Sequence, residues 1–146
     1  MDKKFEDKND DYVITRTDGF LKYVKSEDGL GISPLRLLML IVEKSTIGNN
    51  IVDFSSHQRA ELVKNFELTT QSFYNNVKLL YDKGLLIDQK RGRYVYNPVI
   101  FLKGNISRGD LTIMERIWDR EYKKAQSEIK EMPVKRGLKD NGIYVE

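Results

Sequence analysis

The chain of 146 residues has no cysteine, one histidine, one tryptophan and three prolines. Without cysteine there is no disulfide framework and no thiolate metal site, and a reducing interior is the simplest setting. One histidine, His57, excludes a multi-histidine metal cluster, and neither an Asp/Glu cluster nor a Walker-type glycine loop is evident. Eight tyrosines offer hydroxyls, but none sits in a recognisable catalytic setting. The expectation is therefore a protein that is not an enzyme, with no cofactor and no metal. The first residues, MDKKFEDKNDD, lack the apolar core of a signal peptide. The longest apolar run, Leu37 to Val42, is far too short to span a bilayer. A cytoplasmic protein with no membrane contact is expected. A dominant charge sign is also missing. The 25 basic and 22 acidic residues leave a net charge of +3, so any polyanion-binding role must come from where the charges sit.

Residues 1–11 carry five acids against three lysines and few apolar groups, which reads as a flexible tail. Tyr12 to Thr17 alternates like a strand, and Asp18-Gly19 is a turn signal. Phe20 to Lys25 then pairs back to complete an N-terminal hairpin, although FLKYVK also suits a helix. Ser33-Pro34 opens a helix, with serine as cap and proline at the first helical position. LRLLMLIVEKS is apolar almost all round, as in a helix buried on more than one face. Gly48-Asn49-Asn50 breaks the chain. Ile51 to Phe54 is a short strand expected to pair with a later hairpin, and Ser55-Ser56 offers caps for the helix after it.

That helix, about His57 to Phe66, puts Ala60, Val63 and Phe66 on one side with Leu62 beside them. Glu67-Leu68-Thr69 is a turn, and Thr69 caps a further helix over about Thr70 to Lys83. At 100° per residue, Phe73, Val77 and Leu80 share one face, and Gln71, Asn75, Lys78 and Asp82 the opposite one. Ser72, Tyr74 and Leu79 lie on the flanks. Gly84 ends the helix. Leu85 to Lys90 and Arg93 to Asn97 form a hairpin with Arg91-Gly92 at its tip, closed by Asn97-Pro98. VIFLKGN runs on extended, and Gly104 to Gly109 is a turn or linker. A last helix covers Asp110 to about Glu131, with Leu111, Met114, Trp118, Ala125 and Ile129 in a stripe widened by Ile117 and Tyr122. This stripe serves either to cover the chain's own core or to pack on a second copy. Pro133 opens a loose tail.

Helix, turn, helix, hairpin in this order is a winged helix-turn-helix, a device that places one helix in a DNA groove. The outer face of the helix after Thr69 carries Gln71, Asn75 and Lys78, with Ser72 and Tyr74 at its edges. Amides donate to and accept from a purine edge, and lysine reaches guanine or phosphate. Thr69 and Thr70 stand at the helix start, where hydroxyls and free amides hold phosphate. Lys90, Arg91 and Arg93 make the hairpin tip basic. From Lys78 to Arg93 five cations face two acids, an excess of three that equals the net charge of the whole chain. Each signal alone also fits an ordinary solvated surface. Their order along the chain is what favours DNA.

RAELVKNFELTTQSFYNNVKLLYDKGLLI, residues 59–87, fills the apolar slots of the general winged-helix pattern, with Glu67 where the turn often has glycine. KRGRYVYNPVIFLKGN, residues 90–105, is similar to the segment after the reading helix in the RepL family of plasmid and phage replication proteins. Asn97, Pro98, Phe101, Lys103 and Gly104 carry that likeness, and GFLKYVK, residues 19–25, resembles a segment before that family's first long helix. The resemblance spans about residues 19–105 and leaves the last helix outside it. It implies origin binding in replication initiation or plasmid maintenance, by a recogniser that recruits host replication proteins.

The expected architecture is mainly α with a small β-sheet, an α+β winged helix-turn-helix with an N-terminal hairpin and a C-terminal helix. The parts are a tail (1–11), a DNA-binding domain (12–105), a C-terminal helix for packing or homodimerisation through residues 110–131 (106–132), and a second tail (133–146). The expected partner is double-stranded DNA. Two alternatives remain on the sequence alone: a winged-helix transcriptional repressor, and a winged helix used only for protein contacts.

Overall fold

A computed structural model describes residues 12–24, 29–65 and 69–136, with side chains up to residue 128. The expected tail at 1–11, residues 137–146 of the expected tail at 133–146, Phe66, the turn at Glu67-Leu68 and the side chain of Ile129 lie outside the described residues. Among the described residues the elements run β1 (Val13–Thr15), α1 (Thr17–Val24), α2 (Ile32–Glu43), β2 (Ile51–Asp53), α3 (Ser56–Asn65), α4 (Thr70–Asp82), β3 (Leu86–Asp88), β4 (Arg93–Tyr96), β5 (Phe101–Lys103) and α5 (Arg108–Arg136). The fold is mainly helical with small antiparallel sheets, in a winged-helix-like order. No helix among the described residues is long and apolar enough to cross a membrane.

The three-stranded sheet has the order β2-β4-β3, all antiparallel. Ile51 to Asp53 thus pairs with the hairpin, as its sequence suggested. Strand β4 lies in the middle, and alternate residues of a strand face opposite sides. Tyr94 and Tyr96 join the main core with Leu37, Leu38, Ile41, Phe73 and Leu80. Val95 faces the other way and packs with Ile87 and Trp118. Helices α2 and α4 cover the first side; α5 covers the second. The stripe on α5 is thereby used within the chain: Met114 and Trp118 are buried, and Ile117, Tyr122 and Ala125 are half-buried against the sheet. Trp118 stacks on Tyr122 at 5.0 Å, and Tyr122 meets Tyr81 of α4 at 5.5 Å.

Four expectations need correction. Among the described residues there is no N-terminal hairpin. Asp18-Gly19 lies in the first turn of α1, and β1 pairs with β5 across the chain, Val13 opposite Lys103. A local turn signal loses here to a distant sheet edge. Helix α2 begins at Ile32, its cap is Gly31 with no side-chain bond, and Pro34 sits within the first turn where its missing N–H costs nothing. Ala60 is exposed; Leu62 is the residue of α3 that is buried. Helix α5 continues through Pro133 to Arg136, so no loose tail opens at that proline.

The segment from Asn97 to Gly104 is built into the frame. Asn97 donates from its amide to the Gly84 carbonyl at 3.0 Å, and Arg16 donates to the Pro98 carbonyl at 2.6 Å. Lys103 is buried and donates to the Glu43 carbonyl at 2.9 Å, a cation at the negative end of α2. Gly104 adopts φ 65° and its N–H reaches the Tyr12 carbonyl at 2.8 Å. Asn50, fully buried, donates to the carbonyls of Tyr96 and Met114, both at 3.0 Å, and so ties β4 to α5.

Helix α1 sits against this segment through Gly19, where an added Cβ would lie 1.7 Å from the Val99 carbonyl oxygen. Gly19→Ala must push α1 off the β4–β5 connection. A loss of about 2–3 kcal/mol is expected in urea unfolding, as for an overpacked core site; an unchanged midpoint would contradict this packing.

Candidate nucleic-acid interface

Helix α4 is fixed at both ends. Thr69 caps it, its hydroxyl accepting from the Ser72 N–H at 3.1 Å, and Gly84 leaves it at φ 76°. Phe73, Val77 and Leu80 are buried, while Gln71, Asn75, Lys78 and Asp82 are exposed. Ser72 is half-buried and Tyr74 exposed on the flanks; Thr69 and Thr70 are exposed at the start. The periodicity thus placed every outer residue of this helix. Gln71 donates from its amide to the Asn75 Oδ1 at 3.2 Å. This contact leaves the Gln71 carbonyl as acceptor and the Asn75 amide as donor, the pair of groups an adenine edge requires. Lys78 bonds Asp82 at 3.1 Å, both well exposed. Such a pair is worth only about 0.3–0.5 kcal/mol, so a phosphate can take the lysine from it at little cost.

The hairpin tip is tighter than two residues suggest. Lys90, Arg91 and Gly92 all adopt the left-handed region, at φ 74°, 57° and 82°. The Asp88 carboxylate accepts from the Lys90 N–H at 2.8 Å, and the Arg93 N–H returns to the Lys90 carbonyl at 3.2 Å. A Cβ on Gly92 would lie 2.0 Å from the Phe54 carbonyl oxygen, so only glycine fits there. Lys90 and Arg91 carry Cβ atoms in this region at a cost of roughly 1–2 kcal/mol each. Both side chains are exposed.

Arg93 stands at the start of β4, just past the left-handed tip, and is exposed. It is the strand partner of Asp53, and its guanidinium bonds both carboxylate oxygens, at 2.8 and 3.3 Å. It lines a groove of about 500 Å³ on the α5 side of the sheet, with Lys90, Arg120, Glu121 and Lys124. There Gln89 donates to Glu121 at 2.7 Å. Burial pushes the Glu121 carboxyl up, but hydrogen bonds from Arg120 and Gln89 outweigh it and hold the group below the usual range. The local charge excess read along the chain is therefore reduced in space, because Asp53 and Glu121 come from elsewhere.

Sequence reasoning missed Arg59. Ser56, Arg59, Ala60 and Val63 line a groove of about 300 Å³ between α3 and the start of α4, completed by Thr70, Phe73 and Tyr74. The spacing 56, 59, 60, 63 is one helix face, which was the available signal. Arg59 also lies beside Tyr94 and near Asp88. His57 is exposed and 3.4 Å from Glu61. No group of three or more potential metal ligands occurs among the described residues.

Tyr94 is fully buried, and the Arg59 guanidinium is the hydrogen-bonding neighbour of its hydroxyl, in a contact short of full hydrogen-bond geometry. Burial, then the Asp88 charge, pushes its pKa up to about 12, against an opposing pull from Arg59. In the unfolded chain the phenol ionises near pH 10. The stability tied to this group is thus complete below pH 10 and falls as pH rises towards 12, by up to about 1.4 kcal/mol per unit. Tyr94→Phe is expected to make that alkaline loss shallower in unfolding curves from pH 8 to 11.5; an identical slope would contradict the assignment. No family model, no curated protein and no solved structure matches this chain, so its function is read from these residues themselves.

Proposed function

We propose that the chain binds double-stranded DNA in a sequence-specific manner, in the cytoplasm, with no catalysis of its own. The observation that carries this is α4. Its apolar face is locked into the core, its outer face presents Gln71, Asn75 and Lys78, and the strained basic tip of Lys90 and Arg91 belongs to the hairpin that follows it. In this reading Asn75 and Gln71 contact base edges, and Lys78, Lys90 and Arg91 contact phosphate or the minor groove. Thr69, Thr70, Ser72 and Tyr74 flank the reading surface. Arg93 keeps Asp53 as its partner and supports the hairpin from behind.

For the biological role we favour initiation of plasmid or phage replication, by origin binding and recruitment of host replication proteins. That part rests on the resemblance of residues 90–105 to the RepL family. A transcriptional repressor is the second reading, because Asn97, Pro98, Lys103 and Gly104, which carry the likeness, all have structural partners here. A homodimer through residues 110–131 would have to use the outward side of α5, since Met114 and Trp118 are buried within the chain.

The test is binding to duplexes from around the protein's own gene, across a salt series. Asn75→Ala should narrow the gap between specific and random duplex by about 1–3 kcal/mol. Arg91→Ala should weaken all duplexes alike and lower the salt slope by about one. Equal affinity of all three proteins for every duplex would sink the reading. A footprint beside an iterated origin favours replication, and one over a divergent promoter favours repression.

A further inference from the structure

The geometry points to Arg59 as a phosphodiester-binding residue of the interface, positioned by the hydroxyl of Tyr94. This rests on the duplex-binding reading and adds a site to it. Arg59 occupies the seam where three elements of that reading meet: α3, which carries it, the start of α4, and the root of the hairpin. It is half-buried and enters none of the ion pairs found among the described residues, and its hydrogen-bonding neighbour is a neutral phenol. The groove that it lines also carries the hydroxyl-bearing side chains of Ser56, Thr70 and Tyr74.

The second observation is Tyr94. Its hydroxyl is fully buried with the Arg59 guanidinium as its hydrogen-bonding neighbour, in a contact that falls short of full hydrogen-bond geometry, and a polar group buried this deeply depends on such a neighbour. Its neighbours include the Arg59 guanidinium, the Asp88 carboxylate and Tyr74. Asp88 already accepts from the Lys90 N–H. A guanidinium has five N–H donors in a planar fork. One of them serves the Tyr94 oxygen, and the fork still offers two parallel donors to a phosphate. The phenol would therefore hold the arginine in the orientation in which it meets a phosphate. Lysine has the charge but not the fork.

The experiment compares full-length wild type with Arg59→Gln, Arg59→Lys and Tyr94→Phe. It measures duplex affinity over a salt series and the unfolding midpoint of each. Arg59→Gln is expected to lower the salt slope by about one and weaken binding roughly tenfold on every sequence. Arg59→Lys should keep the slope and lose a few-fold in affinity. Tyr94→Phe should leave the unfolding midpoint at neutral pH nearly unchanged, since the hydroxyl's contact with Arg59 is poorly formed, and still lose a few-fold in affinity. A merely structural role predicts the reverse for Tyr94→Phe: a lowered midpoint and unchanged binding. If wild type binds duplex and Arg59→Gln matches its affinity and slope, the site is wrong and the DNA reading stands. If wild type binds no duplex at low salt, both fall.

Discussion

Tyr94, Val95 and Tyr96 occupy three consecutive positions of one strand, and none is accessible to solvent. A strand buried on both faces needs a layer on each side. On the Tyr94 and Tyr96 side that layer is α2 and α4. On the Val95 side it is α5, through Trp118, Tyr122 and Ala125. A hairpin of three- and four-residue strands would be marginal alone. Here it is held between two layers, and the position of the basic tip is fixed relative to α4. The last helix, which has no counterpart in the resemblance, thus has a defined task as the back wall of the sheet.

The same constraint sorts the charges. Residues on β4 alternate, so Arg93 shares the α5 side with Val95 and is held there by Asp53. Lys90 and Arg91 sit beyond the strand, in left-handed backbone. The strain at the tip, about 1–2 kcal/mol for each residue, is sustained by the Gly92–Phe54 contact and the Asp88 carboxylate. Strain of this kind clusters at ligand clamps and other functional sites. Glu121 and Gln89 then pin the hairpin, next to its tip, to α5 at 2.7 Å.

Where local chemistry decides, the sequence was legible. The cap at Thr69, the stop at Gly84 and the buried row Phe73, Val77, Leu80 all follow from periodicity and turn residues. Where distant partners decide, it was not. Asp18-Gly19 reads as a hairpin turn, but the space that Gly19 vacates is taken by the Val99 carbonyl, 80 positions away, and the chain continues as helix. The pairing of β1 with β5 leaves no mark in either segment alone. Arg59 was hidden because its significance comes from Tyr94 on another element. Asn97 to Gly104 was readable as a motif; its hydrogen bonds to Gly84, Arg16, Glu43 and Tyr12 were not.

The central claim is that α4 and the hairpin tip form one surface that reads duplex DNA. Its most direct test is selection of bound duplexes from a random-sequence pool by the purified full-length protein, followed by hydroxyl-radical footprinting of the winners. The account predicts enrichment of a short motif, protected over one major groove and the adjacent minor groove. Recovery of a pool indistinguishable from the input, at low salt and with folded protein, would contradict it.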